Sequence, residues 1–437
     1  VLYTSTPLGL VAALDAETGV ELWTFDPQAW KDRGWFTSLH RGVAYWSDGD
    51  DERILFGTTS AYLYSLDART GLPDPAFGDS GRVDLTRGLR RPIRRSQYAV
   101  VSPPIVCRDV LVVGSSVPDV RSGAQKWVFE TIPQEEGAYG RETWGADSWK
   151  DFGGVNVWSM MSADQDLGYV YLPVSTPSND FYGGERPGDN LFGDSIVCLN
   201  AGTGERVWHF QITHHGLWDY DPPAAPILVD IEVEGRPIKA VVQVTKQAQA
   251  FVFDRITGAP VWPIVEVPVP ASRADGEIAS PTQPFPSWPL PFDLQGLRID
   301  DLIAFTPELR RRAIEQVGRY EYGPLYTPPS ERGTILLPGL RGGASWVGAA
   351  ADPLTGVLYV PSHTMPFMAV LTRADDPQSP SAYSTNHRHN VKGPDGLPLT
   401  RPPYGRLTAI DLNTGEHLWK QVWGAALPTT RPCSTCS

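Results

Sequence analysis

Cysteine is scarce in this 437-residue chain: Cys107, Cys198, Cys433 and Cys436 are too few for a disulfide scaffold and leave the redox compartment open. Cys433-Ser-Thr-Cys436 has metal or redox spacing. No second pair accompanies it, however, and its Pro/Thr surroundings read as a structureless tail from about 424 to 437. Long apolar runs are missing too. None approaches the roughly 20 residues of a spanning helix, so no transmembrane segment is expected and any membrane association would be peripheral. Positive charge is equally thin, with a formal net charge of −13. The basic cluster of Arg87, Arg90, Arg91, Arg94 and Arg95 reads as a solvated loop, which argues against nucleic acid as a partner. The opening Val1-Leu-Tyr-Thr-Ser-Thr lacks the basic start and apolar stretch of a secretion signal. It reads as a strand already under way, with the true beginning removed by processing or truncation.

Against these gaps stands a repeated turn. Ala13-Leu14-Asp15-Ala16-Glu17-Thr18-Gly19-Val20-Glu21-Leu22-Trp23 returns at Cys198 to Trp208, Val252 to Trp262 and Ala409 to Trp419, with looser copies at Ser65 to Gly71 and Asp119 to Trp127. Each copy reads as a hairpin. The Asp or Asn side chain bonds amides around the turn, Gly supplies a positive φ, and the flanking apolar residues alternate as in strands. The Trp four residues beyond the Gly carries an apolar face able to pack on a neighbouring sheet. Intervals of 52 residues from Asp15 to Asp67 and 54 from Asn200 to Asp254 suit blades of four short strands with generous loops. The expected fold is all-β, a β-propeller forming one domain over residues 1–437, with unrelated hairpins in a sandwich as the weaker alternative.

Strand signals are dense over residues 1–262 and again from about Thr334 to Trp423. Between them a Pro-rich stretch at about 263–333 reads as a long excursion over one propeller face, where long loops shape binding sites. Within it, Thr306 as cap, Pro307 at the first helical position and the apolar spacing to Val317 predict a short helix.

The densest chemistry is His214-His215-Gly216-Leu217-Trp218-Asp219-Tyr220-Asp221-Pro222-Pro223: two imidazoles, two carboxylates and two aromatics in ten residues. One Asp could act as a general base beside an aromatic floor. Equally, the segment could be a decorated loop between blades, with His214 and His215 as structural hydrogen-bonders. Zinc is a poor reading, because adjacent histidines point apart on a strand and no third ligand has diagnostic spacing.

Together with Leu172-Pro-Val-Ser-Thr-Pro, Ser102-Pro-Pro-Ile and Arg41-Gly-Val-Ala-Tyr45, this segment resembles the quinoprotein dehydrogenases that use pyrroloquinoline quinone (PQQ). The likeness runs over nearly the whole chain and is nearest to the membrane-type glucose and quinate dehydrogenase branch. It implies an eight-bladed propeller with quinone and calcium on its axis, of which about six to seven blades are present. It further implies that Asp219 is the catalytic base, taking the substrate hydroxyl proton as hydride passes to the quinone. Lys246, in Val244-Thr-Lys246-Gln, matches the lysine that reaches the quinone oxygens, where an ammonium stabilises developing negative charge. Arg41 matches an arginine that grips a cofactor carboxylate with its forked donors. Trp158 matches the tryptophan on which the quinone lies. Ser116 stands where the family has a hydroxyl near the cofactor, and His40 near the position that covers its other face. Calcium, which prefers several oxygen ligands, would be held by Asp119, Thr176 and Asp219.

The activity so implied is oxidation of a hydroxyl in a sugar, polyol or cyclic hydroxy acid, with electrons leaving to ubiquinone or a cytochrome. No Cys-x-x-Cys-His haem attachment occurs, so the acceptor is external. The location implied is periplasmic or otherwise extracytoplasmic, with a peripheral association with the inner membrane as one form of it. The alternatives are a non-catalytic propeller scaffold resembling the outer-membrane assembly lipoprotein, and an inactive fragment. Several positions depart from the family. Asp119 also fills the turn position of the repeat ending at Trp127, as though a strand were deleted between Val117 and Val120. Val101 replaces a threonine usual beside the cofactor, and the adjacent cysteine pair of the methanol-type enzymes is missing, which favours a sugar or polyol branch. A blade carrying a cofactor-contacting glutamate should precede Val1 and another should follow Trp423, so the chain is expected to be truncated at both ends.

Overall fold

Each Asp/Asn-x-x-Thr/Ser-Gly segment closes a hairpin by the same local chemistry. Asp67 Oδ1 accepts from the amides of Arg69 (3.1 Å) and Thr70 (2.8 Å) and from the Thr70 hydroxyl (2.8 Å). Asp15, Asp119, Asn200 and Asp254 accept from the corresponding amides. These turns organise a computed structural model that describes residues 1–31, 40–89, 93–114, 117–376, 379 and 381–423. Ser116 and the expected tail at 424–437 lie outside the described residues.

The strands assemble into six successive antiparallel blades. The first comprises Leu2–Ser5, Val11–Leu14 and Glu21–Phe25, and the second Ala44–Ser47, Glu52–Gly57, Tyr62–Asp67 and Arg82–Asp84. The third joins the pair Ile105–Cys107 and Val110–Val112 to the pair Val117–Pro118 and Gln125–Trp127 through a bridge between Val110 and Asp119. The fourth comprises Ser162–Asp164, Tyr169–Val174, Ser195–Asn200 and Arg206–Gln211, and the fifth Ile227–Val233, Arg236–Val244 and Ala250–Asp254. The sixth comprises Ala350–Asp352, Val357–His363, Gly405–Asp411 and His417–Val422. The first strands of blades two to six lie next to one another in sequence order, as in a propeller.

Cores form between blades rather than within them. Phe56 and Leu66 of blade two pack with Val11 of blade one, and Tyr171, Ile196 and Trp208 of blade four pack with Val241, Phe251 and Phe253 of blade five. The repeated Trp fastens each such joint. The indole N–H groups of Trp23, Trp127 and Trp208 donate to the carbonyls of Ala68 (3.0 Å), Ala201 (2.9 Å) and Arg255 (3.1 Å), each in the turn of the next blade. Their rings lie flat on that turn's glycine. A methyl group at Gly71, Gly204 or Gly258 would stand 2.6, 2.5 or 2.6 Å from the indole, so these positions need Gly for space as well as for φ. Blade two carries no such Trp. There Arg53 reaches the turn of blade three, donating to the carbonyls of Val120 (3.3 Å) and Arg121 (2.8 Å).

The predicted helix forms over Pro307–Val317, with Thr306 Oγ1 accepting from the Leu309 amide at 3.1 Å. No helix among the described residues is long and apolar enough to cross a membrane. The excursion is larger than the expected 263–333. Ile264–Pro268 and Thr282–Pro286 form a hairpin, but Thr334–Leu336 pairs with Phe367–Arg373, which pairs with Tyr383–Asn390, in a sheet separate from the blades. Part of the second strand-dense region therefore belongs to the excursion, inserted between the second and third strands of blade six. Alternation marks a strand but does not encode which sheet it joins.

Candidate functional site

Chain segments far apart in sequence line one cavity of about 680 Å³. Arg41 precedes blade two, Trp158 precedes blade four, Asp219 and Asp221 lie on the connection from blade four to blade five, and Lys246 follows Arg236–Val244. The Lys246 ammonium is its hub. It donates to the Asp219 carbonyl at 2.7 Å, to Asp219 Oδ1 at 2.9 Å and to Asp221 Oδ1. The Trp158 indole N–H donates to Asp221 Oδ2. Above the Trp158 ring lie the Arg41 guanidinium, at 5.0 Å, and the Lys246 ammonium, at 5.8 Å, both within cation–π range. Arg41 Nη1 is buried and has no hydrogen-bond partner among the described residues. A buried unpaired donor is costly, and a carboxylate entering the cavity would satisfy it.

Burial raises the Asp219 carboxyl well above the usual range, the Lys246 charge pulls it down, and Asp221 and Asp180 push it up again. Burial alone would lower the Lys246 ammonium. Its two carboxylate partners outweigh that and raise it, so it stays charged. The arrangement thus holds a basic carboxylate, a fixed cation, an aromatic face and a spare guanidinium donor in one pocket.

The His-His segment works as a two-sided strip. Asp219 and Asp221 meet the cavity, while their neighbours fasten the excursion. The Trp218 indole N–H donates to the Thr327 carbonyl (2.9 Å) and the Tyr220 hydroxyl to the Pro338 carbonyl (2.5 Å). His214 Nε2 contacts Glu266 Oε1 (3.1 Å), and His215 Nε2 contacts Glu277 Oε1 (2.8 Å) with both of the latter side chains 2% exposed. The two imidazoles are therefore fasteners.

Asp219, Lys246, Arg41 and Trp158 are brought together; three other expected positions are not. His40 does not line the cavity, because its ring nitrogens are engaged by Ser5 Oγ (2.7 Å) and the Gly57 carbonyl (3.0 Å). Asp119 is a turn residue, accepting from Ser122 N (2.9 Å) and pairing with Lys126 (3.1 Å) away from the cavity. Thr176 donates at 2.5 Å to the buried Asp194, and it too is absent from the lining. The expected calcium set of Asp119, Thr176 and Asp219 does not assemble. Among the described residues no three His, Cys, Asp or Glu side chains are grouped to hold a metal ion. Ser116 lies outside the described residues. Asp180, Asp221 and Trp346 were not expected at the site. Asp180 and Asp221 line the cavity, and the Trp346 ring lies 5.7 Å from the Arg41 guanidinium. Asp221 had a legible signal, a second carboxylate two residues after Asp219. Asp180 and Trp346 carried none.

Sequence comparison decides the family. The model described as "PQQ: Glucose/ethanol/alcohol dehydrogenase, beta-propeller domain" matches residues 1–434. The chain belongs to this family. It is 30% identical to the quinoprotein glucose dehydrogenase of Escherichia coli (strain K12) over 475 aligned residues, covering 96% of the chain and 58% of that protein. It is also 30% identical to the probable quinate dehydrogenase (quinone) of Xanthomonas campestris pv. juglandis, covering 98% of the chain and 61% of the relative. In fold it matches the quinohemoprotein alcohol dehydrogenase from Comamonas testosteroni with a TM-score of 0.66 and 23% identity, over 96% of this chain and 58% of that one. The chain of this PQQ family member therefore spans well under two thirds of the length of these relatives.

Proposed function

We propose that this chain forms the cofactor-holding propeller of a PQQ-dependent dehydrogenase that oxidises a hydroxyl group of a sugar, polyol or cyclic hydroxy acid. The observation that carries the reading is the meeting of Asp219 and Lys246 at 2.9 Å in a cavity walled by Trp158 and Arg41. The residues fit PQQ. Trp158 offers a face for a planar ring system, Arg41 a spare buried donor for a cofactor carboxylate, and Lys246 a fixed charge for the quinone oxygens. When bound, the quinone supplies the hydride acceptor.

Asp219 accepts the proton from the reacting hydroxyl oxygen. Its raised pKa makes it a stronger base than a solvated carboxylate, and the Lys246 ammonium at 2.9 Å favours its ionised form. The residues do not fit calcium in the expected manner, and no step is routed through a metal ion. Electron transfer to ubiquinone or a cytochrome, and a periplasmic location, complete the reading by analogy with the family.

The test is titration of the protein with PQQ, followed by dye reduction with glucose, glycerol and quinate. Asp219→Asn should retain cofactor binding and lose about 10²–10⁴-fold in turnover. Unchanged turnover in that variant would remove Asp219 as the base.

A further inference from the structure

Asp219 and Asp221 are two residues apart on one strip, yet their carboxylates are placed differently. The Asp221 side chain is 5% exposed against 20% for Asp219, and its two oxygens serve different blades. Oδ1 accepts from the Lys246 ammonium, at the end of a blade-five strand, while Oδ2 accepts from the Trp158 indole N–H, on the approach to blade four. Both partners can only donate. A carboxylate suits such a position because both its oxygens accept. An amide offers one acceptor and turns an N–H₂ donor toward the other partner.

We propose that Asp221 is a positioning residue that fixes the Trp158 ring and the Lys246 ammonium relative to one another. This rests on the PQQ reading above for its consequence, but its geometry is a property of the protein alone. The two groups that would receive the flat cofactor arrive from connections 88 positions apart in the chain (246 − 158), and Asp221 is the side chain that accepts from both among the described hydrogen bonds. The ammonium has other acceptors in Asp219. Asp221 alone accepts from the Trp158 indole N–H among the described hydrogen bonds, so its loss frees the ring first.

The experiment uses Asp221→Asn, Trp158→Phe and the double variant. In cofactor-free protein labelled with ¹⁵N in its tryptophan indoles, the cross-peak lost in Trp158→Phe identifies Trp158. That peak should move upfield in Asp221→Asn as its acceptor is replaced. In PQQ titrations followed by absorbance, Asp221→Asn should bind about tenfold more weakly. At saturating cofactor kcat should fall while the substrate KM stays near that of the parent. In the Trp158→Phe background the amide can give its oxygen to Lys246, so Asp221→Asn should then have a markedly smaller effect. An unmoved Trp158 peak, or strictly additive effects of the two substitutions on affinity, would overturn the proposal. So would a moved peak with parental affinity and kcat. A parent protein that binds no PQQ would sink the functional reading instead, leaving the indole peak to decide the geometry.

Discussion

The acids of the turns and the acids of the cavity make opposite use of the same side chain. At Asp15, Asp67 and Asp119 the carboxylate is turned on its own backbone and accepts from the amides two and three residues on. Hydrogen bonds dominate at exposed Asp15. At Asp119 burial raises the pKa, but bonds from Ser122 and Lys126 outweigh it, and the net shift is downward. At Asp219 burial dominates, and the net shift is upward despite a lysine at 2.9 Å. A turn acid is a replaceable hydrogen-bond acceptor. A cavity acid is a charge whose environment sets its chemistry.

The harshest way to break this contrast is Lys246→Met, which leaves two enclosed carboxylates without their cation. We expect a loss of about 3–5 kcal/mol in urea unfolding near neutral pH, partly recovered in acid as the Asp219 carboxyl protonates. Trp208→Ala tests the joints that hold the cavity walls in place. Removing an indole that is 6% exposed should lower stability by a similar ~3–5 kcal/mol without creating a charge defect, and that loss should stay flat with pH.

Asp194 sharpens the comparison from the buried side. Burial raises its pKa to about 7, with Thr176 donating to one oxygen and the other buried with no partner among the described residues. Because the folded value exceeds the unfolded one of 3.8, its contribution to stability is full in acid and is lost as pH rises toward about 7. Asp194→Asn should flatten the stability curve between those limits, by at most about 1.4 kcal/mol per pH unit, as read by melting temperature against pH. The smallest effect belongs to a turn. Asp119→Asn should change stability by only about 0.5 kcal/mol, since Asn200 already performs the same task, and should leave PQQ affinity unaltered.

The repeats were legible because turn chemistry is local: an acceptor at one position, a glycine four residues on and an indole four further. What that indole meets was half legible. Packing on the next sheet could be foreseen, but its N–H bond to the next turn could not. The excursion was underestimated because Phe367–Arg373 has the same alternating character as a blade strand while pairing with Thr334–Leu336. At the site, residue types sufficed for Asp219, Lys246, Arg41 and Trp158 through their likeness to a family. Asp119 illustrates where likeness failed, because a short local turn competes with a distant ligand set and wins on proximity. Asp221 was visible as a residue but not as a link, since the indole it accepts from lies 63 positions away.

The Trp-to-glycine joint has a direction: each such indole points forward along the chain onto the following turn. Any in-frame duplication of one such repeat therefore carries both a plug and a socket, and the copy can slot into the series without new contacts having to be invented. Duplication or deletion of such a repeat can lengthen or shorten the series one blade at a time, while Asp219 and Lys246, which occur once and outside the repeated turn, set where along the series chemistry can happen.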